Sequence, residues 1–299
     1  MEDAALRDLL APLLPGVTIR VGPPAGPLPD VVMLVASRLH PGVAPALPNL
    51  KLVQKLGAGV DGILKQSELP AGVRVARLRP EVAAEEIAEY CLAQILLRQR
   101  NLDRHAADQA AGRWTPLAPR RAGETTVGVL GLGHIGGRTA RGLAAQGFRT
   151  LGWSRTPRAL QGVDCRSGAA ALPGLLAECD YLVSVLPSTP ETRDLFDAAL
   201  LARLKPGAVL INVGRGDLIV EADLVAALDS GALGGAVLDV FRQEPLPERH
   251  PFWAHLKVAV TPHVSGWHLD GGFEDIAENY RRLLDGRPLL HEVDRAAGY

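Results

Sequence analysis

The chain is dominated by apolar runs that each stop at a glycine or polar residue, in an order that only a parallel α/β sheet accommodates easily. Residues 127–130 stop at Gly131-Leu132-Gly133-His134-Ile135-Gly136, residues 181–186 at Pro187, and residues 209–213 at Gly214-Arg215. Residues 236–238 stop at Asp239, and residues 258–261 lead to His263. Continuous apolar runs without alternation suit strands covered on both faces, and ligands bind just beyond the carboxyl ends of such strands. The named residues are therefore expected to meet in one crevice.

With 32 glycines in 299 residues, a G-x-G-x-x-G arises by chance roughly 0.3 times, so its setting must carry the argument. Val127-Gly128-Val129-Leu130 reads as a buried strand, and residues 135–146 read as a helix with Ile135, Leu143 and Ala144 on its packed side. In a strand, turn and helix of this kind, Gly131 permits the turn, Gly133 lets backbone approach a pyrophosphate, and Gly136 lets helix and strand pack closely. The helix amino terminus, with His134 and Ile135, then faces the phosphates of a dinucleotide.

The next strand, Arg149-Thr150-Leu151-Gly152-Trp153, is where an acidic residue would hold the 2′-hydroxyl of NAD. The chain instead reads Ser154-Arg155-Thr156-Pro157-Arg158, and no carboxylate follows until Asp164. Two guanidinium groups and two hydroxyls suit a 2′-phosphate. NADP(H) is expected in preference to NAD(H), which remains possible.

Lys+Arg 32 against Asp+Glu 33, with no basic run longer than a pair, offers no footprint for nucleic acid or an anionic membrane. A hydrophobic content of 47% supports real cores. No apolar run reaches membrane-spanning length. Met1-Glu2-Asp3 is acidic and leads into an amphipathic segment, unlike a secretory signal. Cys91, Cys165 and Cys179 are widely spaced and lack metal-site spacing. They are expected to be buried thiols of a cytoplasmic protein, and no metal is expected.

The expected fold class is α/β with two Rossmann-like domains: a parallel-sheet dinucleotide-binding domain and a smaller, flavodoxin-like substrate domain. Residues 1–95 with 270–299 form the expected substrate domain, and residues 96–269 the dinucleotide-binding domain. In the first, residues 17–21, 31–36, 50–55 and 73–76 read as strands, and Pro23, Pro24, Pro27 and Pro29 mark a loop between the first two. Ile87, Tyr90, Cys91 and Ile95 recur at helical spacing in a connector that begins near Ala83. A final helix around residues 273–284 is expected to return to the first domain, which places a cleft and hinge between the two.

Three side chains suit hydride transfer to a 2-keto acid. Arg215, between Gly214 and Gly216, can clamp a carboxylate bidentately and polarise a ketone. His263, in Thr261-Pro262-His263-Val264-Ser265-Gly266, can donate a proton to the carbonyl oxygen. Glu244, in Gln243-Glu244-Pro245, can hold the other ring nitrogen and favour the acid form.

With these residues placed, the chain resembles the D-isomer-specific 2-hydroxyacid dehydrogenases, and among them the A-type glyoxylate/hydroxypyruvate reductases. The likeness rests on Leu56-Gly57-Ala58-Gly59-Val60-Asp61, the glycine motif, Trp153-Ser154-Arg155, Leu186-Pro187 with Thr192, residues 222–231 and 238–247, Thr261-Pro262-His263, and the tail Val293-Asp294-Arg295-Ala296-Ala297-Gly298-Tyr299. It implies that Arg215, Glu244 and His263 are the catalytic set, that Asp239 contacts the nicotinamide amide, and that Val213, Gly214 and Ser265 border the cofactor. It further implies that Gly57, Ala58 and Gly59 hold the substrate carboxylate with Arg215 and His263, and that the protein is a homodimer joined through its nucleotide domains.

The chain departs from such reductases where Ala36-Ser37-Arg38-Leu39-His40 lacks a tryptophan often found there, and where Ser265-Gly266-Trp267-His268 replaces smaller residues. Trp267 is a candidate for substrate contact, although packing of the last helix explains it more simply, as a solvated loop explains His268. Trp114 is expected to serve packing. The expected activity is reduction of small 2-keto acids such as glyoxylate and hydroxypyruvate. The alternatives are oxidation or reduction of a bulkier or different acid, and a nucleotide-sensing scaffold that binds proteins, which the arginine-bearing loop disfavours.

Overall fold

Two separate parallel sheets organise the chain, one in each of two units: Met1–Val82 with His268–Tyr299, and Ala83–Trp267. The computed structural model describes residues 3–269 and 271–298. Met1, Glu2, Asp270 and Tyr299 lie outside the described residues, and with them the acidic start and the last residue of the tail motif.

The first unit contains α1 (Asp3–Leu10), β1 (Met33–Ala36), β2 (Leu52–Lys55), α2 (Asp61–Leu64) and β3 (Arg74–Arg77), with the order β1-β2-β3 in a parallel sheet. Successive strand residues face opposite sides. Val53 and Val75 point into a cluster with Leu39, Val60, Ile63, Leu69 and Val293, whereas Leu52 and Ala76 meet Leu289. Residues 17–21, expected as a strand, join no ladder. Val17 N–H closes a turn on Leu14 O, and only Ile19 contributes to an apolar cluster, with Leu10, Leu78 and Ile276. A β-branched run without a neighbour to pair with stays irregular.

The last helix of the chain, Phe273–Leu284, belongs to this unit. Its buried Asn279 donates to Gln54 Oε1 (2.8 Å) and Leu290 O (3.1 Å) and accepts from Leu290 N–H (2.7 Å). These bonds satisfy two fully buried amides that would each cost about 1–3 kcal/mol if left unpaired.

The second unit runs through α3 (Glu81–Gln99, from Ala83 onward), α4 (Leu102–Ala110), β4 (Thr126–Leu130), α5 (His134–Ala145), β5 (Arg149–Ser154) and β6 (Asp164–Ser167). It continues with α6 (Leu172–Leu176), β7 (Tyr181–Ser184), α7 (Ala198–Leu201), β8 (Ala208–Asn212), α8 (Glu221–Asp229), β9 (Leu233–Leu238) and β10 (Val258–Val260). The Phe273–Leu284 helix is α9. The seven strands are all parallel, in the order β10-β9-β8-β7-β4-β5-β6.

Strand alternation divides the core into two layers. Leu130, Leu182, Leu210, Ala236 and Leu238 pack on one side against Leu175, Leu176, Leu224 and Leu228. Val127, Val129, Val183, Ile211 and Val237 pack on the other against Ile87, Cys91, Ile95, Ala140 and Leu143. Each Val, Leu or Ile among them contributes about 1.5–3 kcal/mol by leaving water. The α3 stripe Ile87, Cys91 and Ile95 thus belongs to the larger sheet, so the boundary expected at residues 95 and 96 moves to 82 and 83. Strand order reverses between β4 and β7, the place where an open sheet leaves a crevice at its carboxyl edge.

Candidate active site

The glycine motif forms the first wall of that crevice. Gly131 turns the chain with φ +96° and donates to Trp153 O at 2.8 Å. A Cβ at Gly136 would lie 1.8 Å from Gly131 O, so helix α5 begins directly against the turn. Gly133 caps α5 and has nothing within 4 Å of its Cβ position. Its side is open, and no acidic residue occupies the first turn of the helix. A helix amino terminus with open space beside it and no carboxylate in its first turn fits a dinucleotide pyrophosphate. At the end of β5, Arg155, Thr156 and Arg158 are exposed. The Ser154 hydroxyl donates to Thr156 O at 2.7 Å, so Arg155 and Arg158 carry the charge that this loop presents.

The loops after β7, β8 and β9 converge. A Cβ at Gly214 would lie 2.5 Å from Leu186 O, and one at Gly216 would lie 1.9 Å from the carbonyl carbon of Phe241. The glycines flanking Arg215 therefore permit backbone contact between loops, beyond the side-chain freedom expected of them. Thr192 Oγ1 donates to Pro187 O at 2.6 Å and accepts from Thr189 N–H at 2.8 Å. It shapes the Pro187 loop from within. Leu186 and Val213 are buried.

Fully buried Asn212, at the end of β8, donates to Arg215 O at 2.8 Å and accepts from Gly214 N–H at 3.2 Å. Asp239 N–H donates to Asn212 O at 3.1 Å. Asn212 was not singled out in the sequence, although a polar residue closing an apolar strand is a readable signal. Behind Arg215, Ser188 Oγ donates to Asp217 at 2.7 Å and Arg242 Nε donates to Ile219 O at 2.7 Å.

Glu244 joins the catalytic candidates. Its Oε2 lies 2.8 Å from His263 Nδ1, and its Oε1 accepts from Phe241 N–H at 2.9 Å. Burial pushes the Glu244 carboxyl up, but the His263 and Phe241 hydrogen bonds and the charges of His263 and Arg215 outweigh it, holding the group below the usual carboxylate range. An ionised carboxylate only accepts, so Nδ1 carries a proton and Nε2 is the nitrogen left for chemistry. The His263 backbone is left-handed, with φ +57°, a conformation that costs an L residue about 1–2 kcal/mol.

Asp239 is fully buried, and its carboxylate is turned toward the His263 segment. Oδ1 accepts from Thr261 Oγ1 (2.5 Å) and Val264 N–H (2.9 Å), and Oδ2 from Ser265 N–H (2.9 Å). Thr261 Oγ1 also lies 2.7 Å from Tyr90 OH on α3. Asp239 and Ser265, which the resemblance assigns to the cofactor, are joined through the Ser265 backbone N–H. Trp267 is 67% exposed, and its backbone N–H donates to Glu86 Oε2 at 2.7 Å. In the smaller unit, Gly57 takes φ +100° before Ala58 and Gly59, and Arg77 Nη1 donates to Ala58 O at 3.2 Å. Trp114 is 94% exposed and so packs on nothing in its own chain. Cys91 and Cys179 are buried, while Cys165 is half-buried.

Strand order, glycine turn and the cluster of Arg215, Glu244 and His263 define a dinucleotide-binding protein of the dehydrogenase type. Residues 92–265 match the family model described as D-isomer specific 2-hydroxyacid dehydrogenase, NAD binding domain, and the chain belongs to the D-isomer specific 2-hydroxyacid dehydrogenase family. It is 39% identical over 296 residues, 97% of this chain and 94% of the relative, to glyoxylate/hydroxypyruvate reductase A of Serratia proteamaculans. A D-isomer specific 2-hydroxyacid dehydrogenase from Xanthobacter autotrophicus Py2, solved with NADPH and MES, superposes with a TM-score of 0.94 at 41% identity, covering 100% of this chain and 96% of that one. The NADPH-dependent glyoxylate/hydroxypyruvate reductase of Sinorhizobium meliloti, solved with NADP and sulfate, gives 0.92 at 37% identity, covering 99% and 96%.

Proposed function

We propose that this protein is an NADPH-preferring reductase of small 2-keto acids, with glyoxylate and hydroxypyruvate as its first substrates. The observation that carries the reading is the contact between Glu244 and His263 in the charge field of Arg215. The relatives named for glyoxylate and hydroxypyruvate support the substrate class, and the exposed Arg155 and Arg158 support the cofactor.

Arg215 forks the substrate carboxylate and draws electron density from the ketone. NADPH, when bound, supplies the hydride that adds to the keto carbon. His263 gives its Nε2 proton to the carbonyl oxygen, while Glu244 holds Nδ1–H and keeps the ring aimed. Asn212 holds the backbone of Arg215 in place during the step. Gly133 and the amino terminus of α5 take the pyrophosphate.

Trp114 and the exposed segment around it are compatible with a homodimer, because tryptophan is among the residue types enriched at interface hot spots. Sedimentation of wild type and Trp114→Ala tests this: a dimer in the first and a monomer in the second is expected. The free thiols support a reducing, cytoplasmic location.

The test of function is parallel initial rates of NADPH and NADH oxidation with glyoxylate, hydroxypyruvate, pyruvate and an aryl 2-keto acid. Fast NADPH-linked turnover of the first two is expected. Preference for the aryl acid would move the substrate class toward a pocket shaped by Trp267. No turnover with any acid would overturn the reading.

A further inference from the structure

We propose that Tyr90, on helix α3, is a positioning residue for His263, acting through Thr261 and Asp239; this rests on His263 as the proton donor in the proposed function. Proton accounting gives the chain of bonds a direction. The Asp239 carboxylate can only accept, and the single hydroxyl proton of Thr261 goes to it at 2.5 Å. The 2.7 Å contact between Tyr90 OH and Thr261 Oγ1 therefore has Tyr90 as donor. Burial pushes the Tyr90 phenol up to about 12, so the proton is present throughout the working range.

The result is a directed series, Tyr90 to Thr261 to Asp239, that ends on a carboxylate already gripping Val264 and Ser265 N–H. His263 lies within the segment these bonds fix, and its left-handed backbone needs such support. The segment also docks on α3 further along. A Cβ at Gly266 would meet Ile87 at 2.9 Å and Ala83 O at 3.3 Å, and Trp267 N–H reaches Glu86 at 2.7 Å. Ala83, Glu86, Ile87 and Tyr90 occupy one helical face at i, i+3, i+4 and i+7. One face of α3 is thus the rail on which the proton donor's loop is mounted, and Tyr90 is the point at which the rail enters the buried polar network.

Tyr90→Phe removes the hydroxyl and keeps the ring. Expected are a fall in kcat for glyoxylate of about 5- to 10-fold, a change in KM and in NADPH affinity of less than about 2-fold, and faster amide exchange at Val264 and Ser265 by about the same factor as kcat. Thr261→Val should reproduce the loss, Thr261→Ser should stay near wild type, and Tyr90→Phe should add nothing in the Thr261→Val background.

Wild-type kcat and exchange in Tyr90→Phe, or additive losses in the double variant, would overturn the proposal, as would faster exchange spread evenly over β9 and β10. The exchange measurement needs no turnover. If the wild-type protein reduces no keto acid, the functional reading fails alone, and exchange at Val264 and Ser265 still decides whether Tyr90 holds the loop.

Discussion

Glu244 Oε2 and His263 Nδ1 lie 2.8 Å apart, although 19 residues separate them in the chain, and Phe241 N–H fixes the other oxygen of the same carboxylate. The carboxylate orients the ring, and the backbone of its own loop orients the carboxylate.

That arrangement sets an acid limb. Glu244 is held below the usual carboxylate range, so the stability of the pair is complete above the ordinary carboxylate pKa and is lost as pH falls through the lower, folded-state value. Glu244→Gln should lower kcat about 10-fold or more and remove this part of the acid decline, whereas His263→Ala should lower kcat about 10²- to 10³-fold. Initial rates from about pH 3 to pH 8 check both.

Arg155 and Arg158 stand exposed beyond β5. Replacing both by Ala should reduce kcat/KM for NADPH by about 10- to 100-fold, as expected for lost charge-assisted bonds to a phosphate, and leave NADH within about 3-fold. Steady-state kinetics with saturating glyoxylate measures the ratio. An equal loss with both cofactors would remove the arginines from specificity.

Two glycines of one motif should fail differently. Gly136→Ala places a methyl 1.8 Å from Gly131 O and should cost about 2–4 kcal/mol of stability. Gly133→Ala enters open space, so melting should shift little while NADPH affinity falls at least about 10-fold through lost approach to the pyrophosphate. Thermal melts and fluorescence titration separate the two.

Asp180 anchors the amino-terminal edge of the larger sheet, accepting from Arg120 (3.2 Å), Lys205 (2.7 Å) and Thr126 N–H (2.9 Å). Burial pushes its carboxyl up, but these three donors outweigh it and lower the pKa. Its stabilisation is present above the ordinary aspartate value and disappears as pH falls through the folded-state value. Asp180→Asn should cost about 1–2 kcal/mol near neutrality and less in acid, which denaturant unfolding at several pH values would show.

The larger sheet was legible because strands covered on both faces leave continuous apolar runs that stop abruptly at glycine or polar residues, as Asn212-Val213-Gly214-Arg215 does. Residues 17–21 have the same local character, yet pairing requires a neighbouring edge that local composition does not report. The stripe of Ile87, Cys91 and Ile95 announced a helix, but its periodicity is the same whichever sheet it covers. Arg215, Glu244 and His263 could be proposed from residue type and position, and the structure brings Glu244 and His263 into contact. The bond between Tyr90 and Thr261 spans 171 residues, and no local pattern encodes a meeting at that separation.

The near-contact of Gly214 with Leu186 and of Gly216 with Phe241 also bears on how such a protein can diversify. The loops of Leu186, of residues 214–216 and of Phe241 meet at backbone level, so adding a side chain at either glycine must displace a neighbouring loop. Backbone change at these two glycines is thereby closed off, so variation in this part of the molecule is left to side chains outside the interlock, such as the exposed Trp267, four residues beyond His263.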